Sequence, residues 1–363
     1  VKWPWPRSYY SDLLKNLKKI KPKVIAFDIM FFKDMPEDKE FASFIKEAGN
    51  VVVGSSYTFS PGQETKELKL PNETIRNAVY GTGFLNIVSE PDSIREKTAS
   101  TREFARRISL SEKNRYYHFA LKTAACYLGL KDADIKCAGN YIKAGELIIP
   151  VKTDENHMLI NYMWREKDRK EDSRKNFSRL SFCDAMDREK LNFYIEKDSI
   201  VFIGYDSSKD PERENKIDLF LNPGTRVPKG ETPLQIEGTS VLIYSIRTIL
   251  GGTFITQSNN FVNVTIILLS AWISSVIFLP FSSWKALIAT VFLMVFYFII
   301  NSSLFLFGQI WIPLVHPFTV IILNFIILTV YEVQRSRKIF ARFLPEAIVE
   351  KVLTDQNALE LGG

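Results

Sequence analysis

Apolar residues run almost without interruption through three stretches near the C-terminal end: 261–281 (FVNVTIILLSAWISSVIFLPF), 286–307 (ALIATVFLMVFYFIINSSLFLF) and 310–331 (IWIPLVHPFTVIILNFIILTVY). The first has no ionisable residue, and the other two have only His316. At ~1.5 Å per residue each makes about 30 Å of helix, the thickness of one hydrocarbon core. Three membrane crossings are expected. An odd count sets the residues before 261 and those after 331 on opposite faces, so a signal must cross the bilayer to join them.

The preceding residues carry a different pattern. YYSDLLKNLKKI is amphipathic with helical spacing, with Ser8 or Ser11 as its cap and Lys21-Pro22 as its end. VIAFDIMFF (residues 24–32) is a nearly unbroken apolar run and predicts a strand buried on both faces. A helix EDKEFASFIKEA stopped by Gly49 follows, then a strand NVVVGSSY. Strand, helix, strand is the crossover order of an α/β sheet. Further on, GTGFLNIV (81–88), LIIP, HMLINY and SIVFIGY (199–205) predict strands, while YYHFALKTAACYLG, LSFCDAM and GTSVLIYSIRTIL predict helices. The fold class is α/β: a mixed-sheet sensory domain outside the cytoplasm, then a three-helix transmembrane bundle and a cytoplasmic helix. The expected divisions are 1–256, 257–331 and 332–363.

Charge sets the orientation. Lys285 lies between the first two spans and Arg335, Arg337, Lys338 and Arg342 follow the third, whereas the link around Gly308 and Gln309 is uncharged. Cytoplasmic segments near span ends are enriched in Lys and Arg, so residues 1–260 are expected outside the cytoplasm and 332–363 inside it. In a two-membrane bacterium the membrane is the inner one and the domain faces the periplasm. The net charge of +6 does not point to nucleic acid, because basic and acidic residues are interleaved along the soluble part. The mean hydropathy of -0.04 averages two unlike halves. Cys126, Cys137 and Cys183 are too few and scattered for a disulfide framework or a CxxC metal site; one pair, Cys126 with Cys137, is possible in an oxidising compartment. The chain opens on VKWPWPR and closes on ALELGG, and both ends are expected to be internal to a longer protein.

No stretch has the means for nucleotide chemistry: GxxxxGK[ST], HExxH, EF-hand spacing and GxSxG are all missing from the sequence, so no catalytic or metal-ligating residue is assigned. Asp28 lies within an apolar strand, where a bare carboxylate is costly; either a partner such as Arg7 satisfies it or it contacts a ligand. Asp206, Asp210 and Asp218 follow the strand at 199–205, on the side where α/β sheets place binding crevices, or they form a solvated acidic loop. Trp3 and Trp5 line a pocket or clamp a domain edge. The mixed-charge run from Arg165 to Arg179 reads as a solvated loop, and His118 and His157 stand apart from other ligand candidates. Within the spans, His316 is a functional candidate or a packing group, and Asn301 and Asn324 are expected to bond between helices.

In this order, WPWPR (residues 3–7), VIAFDIMF with Asp28, LINY (159–162), SFCDAM (181–186), VFIGYDSS (201–208), DLFLNP (218–223) and ILGGTFI resemble the CHASE type-two domain, a sensory extracellular module associated with cyclases and histidine kinases and followed by three membrane spans. Two departures stand out. The membrane helix and apolar strand that usually precede WPWPR are not in this sequence, and the last helix reads Gly238-Thr-Ser-Val-Leu-Ile-Tyr244 where the family usually has Gly-Val-Glu-Ile-His-Ala-Asn. The tail FARFLPEAIVEKVLTDQNALELGG (340–363) resembles the lead-in to a class III adenylate or guanylate cyclase domain.

Together the resemblances imply the input half of a transmembrane class III cyclase that responds to an unknown extracytoplasmic ligand. No cofactor is expected in this chain; Mg or Mn with ATP or GTP belongs to a catalytic domain beyond Gly363. Val333, Phe340 and Ala347 recur every seven residues, with Phe343 between, which suggests a parallel helix pair and a homodimer, or else a basic helix on anionic lipid. The alternatives are the same input on a histidine kinase or other effector, and a non-catalytic envelope binding module.

Overall fold

Helix α1 (Arg7–Ile20) places Tyr10, Leu13, Leu14 and Leu17 on one buried face. It ends where Lys21 turns left-handed at φ 57, its N–H returning to the Leu17 carbonyl, and Pro22 cannot extend it. Neither Ser8 nor Ser11 caps it. The helix starts at Arg7 behind Pro6, and the Ser11 hydroxyl bonds back to the Arg7 carbonyl. The structure is a computed structural model that describes residues 5–59, 66–91, 103–112, 116–152, 156–162, 178–204, 219–221 and 235–340. The chain divides into two compact units, Val1–Phe254 and Ile255–Gly363.

Strand β1 (Val24–Phe27), helix α2 (Asp38–Ala48) and strand β2 (Val51–Phe59) form the expected crossover, and β1 and β2 pair in parallel. Gly49 ends α2 at φ 71. Beyond them come β3 (Lys66–Lys69), a short α3 (Glu73–Arg76), β4 (Gly81–Phe84), β5 (Val88–Pro91), β6 (Glu103–Ser109), β7 (Ser111–Glu112), β8 (Tyr116–Tyr117) and α4 (Phe119–Leu128). The strand expected at 81–88 therefore stops at Phe84, and only Val88 of that run belongs to the next strand. A three-stranded antiparallel meander follows, β9 (Ile135–Ala138), β10 (Tyr141–Ala144) and β11 (Leu147–Pro150), then β12 (His157–Leu159), α5 (Phe182–Ala185) and α6 (Arg188–Tyr194). The unit closes with β13 (Ile200–Ile203), β14 (Leu219–Leu221), β15 (Gln235–Glu237) and α7 (Gly238–Leu250).

The main sheet runs β13-β1-β2, with β2 paired along its first part to parallel β4 and along its second to antiparallel β3. Side chains alternate across it. Ile25, Phe27, Val51 and Val53 join Leu13, Leu17, Phe41 and Ile45 of α1 and α2 on one face. Val24, Ala26 and Val52 join Phe119 of α4 and Leu242 of α7 on the other. Burial on both faces is why these strands read as continuous apolar runs. A second sheet, β12-β6-β14-β15 with β5 beside β6, and the meander frame a further core in which Leu121 and Ala124 of α4 meet Val241 and Tyr244 of α7.

The expected strand at 24–32 stops at Phe27. Ile29 and Phe31 remain buried, but the Phe31 carbonyl accepts from the Asn72 N–H instead of a sheet neighbour, and the Phe31 ring packs edge-on to Tyr10, Phe27 and Phe41. The three cysteines are free thiols. Cys126 packs in the cluster shared by β1 and α4, and Cys137 packs against the meander core, so the possible pair does not form. Burial pushes the Cys126 thiol up to about 12.

In the second unit β16 (Thr256–Gln257) leads into α8 (Asn260–Phe278), α9 (Ser283–Gly308), β17 (Ile310–Trp311) and α10 (Val315–Phe340). All three helices are long and apolar enough to cross a membrane. The third starts at Val315, not at 310, because Ile310 and Trp311 are extended and pair in parallel with Thr256 and Gln257. It then runs without a break through Arg335, Arg337 and Lys338.

Two groups tie the head's stability to charge. Arg7 and Asp38 are buried together, Nε to Oδ1 at 2.9 Å; the other Asp38 oxygen accepts from the Met35 N–H and from Asn72 Nδ2, both at 2.7 Å. Losing one partner of such a pair strands the other charge. Arg7→Ala is expected to cost about 3–5 kcal/mol in denaturant unfolding of the head; a change below about 1 kcal/mol would contradict the role.

His118 is fully buried at the start of α4, where Nδ1 accepts from the Ala120 N–H. Burial is the larger influence on it, the Asn86 backbone carbonyl the smaller and opposing one, and its pKa is lowered to about 3. The unfolded chain therefore takes up a proton below about 6.5 while the folded one does not, so stability present at neutral pH is lost as pH falls from 6.5 towards 3. His118→Asn keeps a capping side chain. It is expected to flatten the acid limb of stability against pH by up to about 1.4 kcal/mol per pH unit, read from urea unfolding at stepped pH.

Candidate functional site

The carboxyl ends of β1 and β13 meet the first turn of α7. Asp28, one residue past β1, accepts a 2.8 Å hydrogen bond from the Thr239 hydroxyl, and its own N–H returns to the Ile203 carbonyl. Gly204 follows β13 at the same place. A Cβ there would stand 2.9 Å from Thr239 and 3.3 Å from the Asp28 carboxylate, so glycine lets the α7 turn close over the strand ends. Next in the helix, the buried Ser240 accepts from Arg179 Nη2 at 3.1 Å. Thr239 and Ser240 thus hold polar groups at the sheet edge, while Val241, Leu242 and Tyr244 pack inward. This is the position at which α/β sheets form crevices.

Arg7 is not the partner of Asp28. Its guanidinium is taken up by Asp38 and by the Lys33 carbonyl, over the Phe31 ring at 4.5 Å. Arg7 therefore anchors the α1–α2 face, and Trp5 packs against Phe182 at 4.6 Å between ring centres. Trp3, Asp206, Asp210 and Asp218 lie outside the described residues, as do most of the mixed-charge run and the heptad positions past Phe340.

A second site lies where the α3–β4 link, β8 and α4 converge. A cavity of about 310 Å³ is lined by Leu70, Arg76, Val79 and Tyr80, by Gly81, Thr82, Tyr116 and Tyr117, and by Lys122 and Asp132. Lys122 reaches it from the buried face of α4, with its side chain 6% exposed, and pairs with Asp132, whose side chain is 64% exposed. Its ammonium also lies 5.8 Å from the centre of the Tyr80 ring. A Cβ at Gly81 would fall 2.5 Å from Lys122 Cε, so the glycine leaves the lane along which that chain runs. Burial pushes the Tyr80 phenol up to about 12. Sequence reasoning did not single out these residues. The one available signal was the lone charge in FALKTAACYL, whose first eight residues are all buried.

The polar residues of the apolar helices separate into two kinds. Asn324 of α10 bonds across to α8, donating to the Ala271 carbonyl at 3.0 Å and to the hydroxyls of Ser274 and Ser275 at 2.6 and 2.8 Å. Asn301 of α9 donates to the Ile312 carbonyl at 3.1 Å, in the link before α10 rather than in another helix. His316 is exposed and stands in the first turn of α10, which begins later than the hydropathy indicates.

A strand pairing and a side-chain bond mark the ends of this bundle. The Thr256–Gln257 segment pairs with Ile310–Trp311 at one end, where the adjoining links carry no charge. At the other, Ser283 of α9 donates to Glu332 of α10 at 2.9 Å, next to Lys285, Arg335, Arg337 and Lys338.

No curated protein and no solved structure matches the chain. The family model for the CHASE2 domain matches residues 1–282, which take in the α/β unit and the first apolar helix. CHASE2 is a sensory domain found in signalling proteins. With three apolar helices after an α/β head and a family model matched over more than half its length, the chain belongs to the CHASE2 domain family.

Proposed function

We propose that this chain is the sensory and membrane-anchoring part of a transmembrane class III nucleotide cyclase, relaying an extracytoplasmic signal to cyclic-nucleotide synthesis. The observation that carries the relay is the two-ended bundle. α8 enters at the uncharged end, and α10 leaves at the basic end as one continuous helix. Three crossings and the preference of Lys and Arg for the cytoplasmic face support a head outside and the end of α10 inside. The cyclase assignment rests on the tail at 340–363, which resembles the segment leading into class III catalytic domains. Those domains work as dimers, so a homodimer paired through the α10 extension has a mechanical purpose. Mg or Mn with ATP or GTP acts beyond Gly363.

A stimulus moves such a relay only by its differential affinity for two arrangements of the head. Deleting residues 1–256 from the full-length protein is expected to remove the response of cyclic-nucleotide output to envelope osmolality, pH and small solutes. Output that still responds as in the intact protein would overturn the sensory role. Phosphorylation of a histidine beyond Gly363, with no cyclic nucleotide made, would replace the cyclase with a kinase.

A further inference from the structure

The geometry points to the Lys122 cavity as the binding site of a small carboxylic acid with an apolar or aromatic body. Three observations on the head converge on this ligand class. The first is charge. Arg76, Lys122 and Asp132 face the cavity, two cations against one anion, and Arg76 is exposed and makes no ion pair among the described residues. A planar guanidinium with no partner suits the two oxygens of a carboxylate.

The second is the asymmetry of the Lys122 pair. The ammonium is held inside, whereas Asp132 sits at the surface on a short 3-10 turn and can swing into water. A buried ammonium needs a counter-ion, and an acid entering the cavity takes over that role while Asp132 is rehydrated. The third is the lining. Leu70, Val79, Tyr80, Tyr116 and Tyr117 give apolar and ring surface for the ligand body, and the Tyr80 hydroxyl is a buried polar atom with no hydrogen-bond partner among the described residues. A volume of about 310 Å³ suits a small molecule.

The consequence reaches the fold through α4. Lys122 projects from the helix whose other residues, Phe119, Leu121 and Ala124, pack against the main sheet and α7. An acid that replaces Asp132 changes the anchoring of that helix. This inference deepens the sensory reading by naming the class of its ligand, and it rests on that reading for its purpose only.

The test uses the full chain in lipid nanodiscs. Acetate, benzoate and phenylacetate are each compared with acetamide, benzamide and phenylacetamide, with inorganic phosphate as a separate arm, by thermal unfolding of the head and by calorimetric titration. At least one acid is expected to raise the midpoint and to bind at least tenfold tighter than its amide. Arg76→Gln, at an exposed position, is expected to weaken that acid at least tenfold. Asp132→Asn, which removes the competing anion, is expected to tighten it at least threefold; if that variant does not fold, Arg76→Gln decides. Binding of phosphate alone, equal binding of acid and amide, no binding of any acid, or full affinity in Arg76→Gln would overturn the inference. No step reads cyclic-nucleotide output, so failure here leaves the relay standing, and failure of the cyclase assignment leaves this result untouched.

Discussion

Hydrocarbon offers no partner to a peptide N–H or a hydroxyl, and that constraint shapes the three apolar helices. Each apolar helix satisfies its own backbone, and the hydroxyls inside it bond to their own turns. Thr265, Ser270, Thr290 and Thr319 each donate to the carbonyl four residues earlier. Apolar attraction between helices gives no selectivity in lipid, so close packing and polar contacts fix the pairing. Asn324, set against Ala271, Ser274 and Ser275, fixes α8 against α10, with Phe278, Ala286 and Ile321 packed beside it. Among the described residues the non-helical backbone of this unit lies at the bundle's ends, and at one of them Thr256–Gln257 and Ile310–Trp311 satisfy each other.

The head solves the opposite problem, keeping charge inside a structure surrounded by water. Arg7 is held by a carboxylate and a carbonyl, and Asp38 by a guanidinium, an amide N–H and a side-chain amide, so each charge of the buried pair has more than one partner. That node locks α1 to α2 and both to the start of α3. Lys122 is the contrasting case: its single carboxylate partner stands at the surface. One buried cation is fixed by its surroundings and the other depends on a group that can leave. The difference separates a charge that holds the fold from the one proposed to meet a ligand.

Much of this was legible in the sequence, for identifiable reasons. The parallel core was, because Val24–Phe27 and Val51–Val53 are covered on both faces and so read as continuous apolar runs; α7 and the Gly49 and Gly129 stops were, because capping has a short local signature. Hydropathy reports burial, however, and not who takes the hydrogen bond. Ile29 and Phe31 are as buried as a strand but lie past its end, and Ile310 and Trp311 are as apolar as a span but lie outside the helix. In the meander at 135–150, LIIP reads as the strand it is, whereas Ile135–Ala138 and Tyr141–Ala144, of four residues each with charged positions between, are too short for periodicity to declare. The Arg7–Asp38 pair spans 31 residues and the Thr239–Asp28 bond 211, separations at which no local pattern carries information. Lys122 escaped for a related reason: an isolated lysine in an apolar helix shows its partner only when the turn at 132–134 folds back to it.

A relay across the membrane requires the head and the end of α10 to lie on opposite sides of one bilayer. The most direct measurement places a side-specific reporter pair in the full chain, one inserted at the exposed β9–β10 turn at Gly139 and the other after Phe340. The expected result is phosphatase activity, which needs the outer compartment, only from the first position, and β-galactosidase activity, which needs the cytoplasm, only from the second. The same compartment reported at both positions would contradict it.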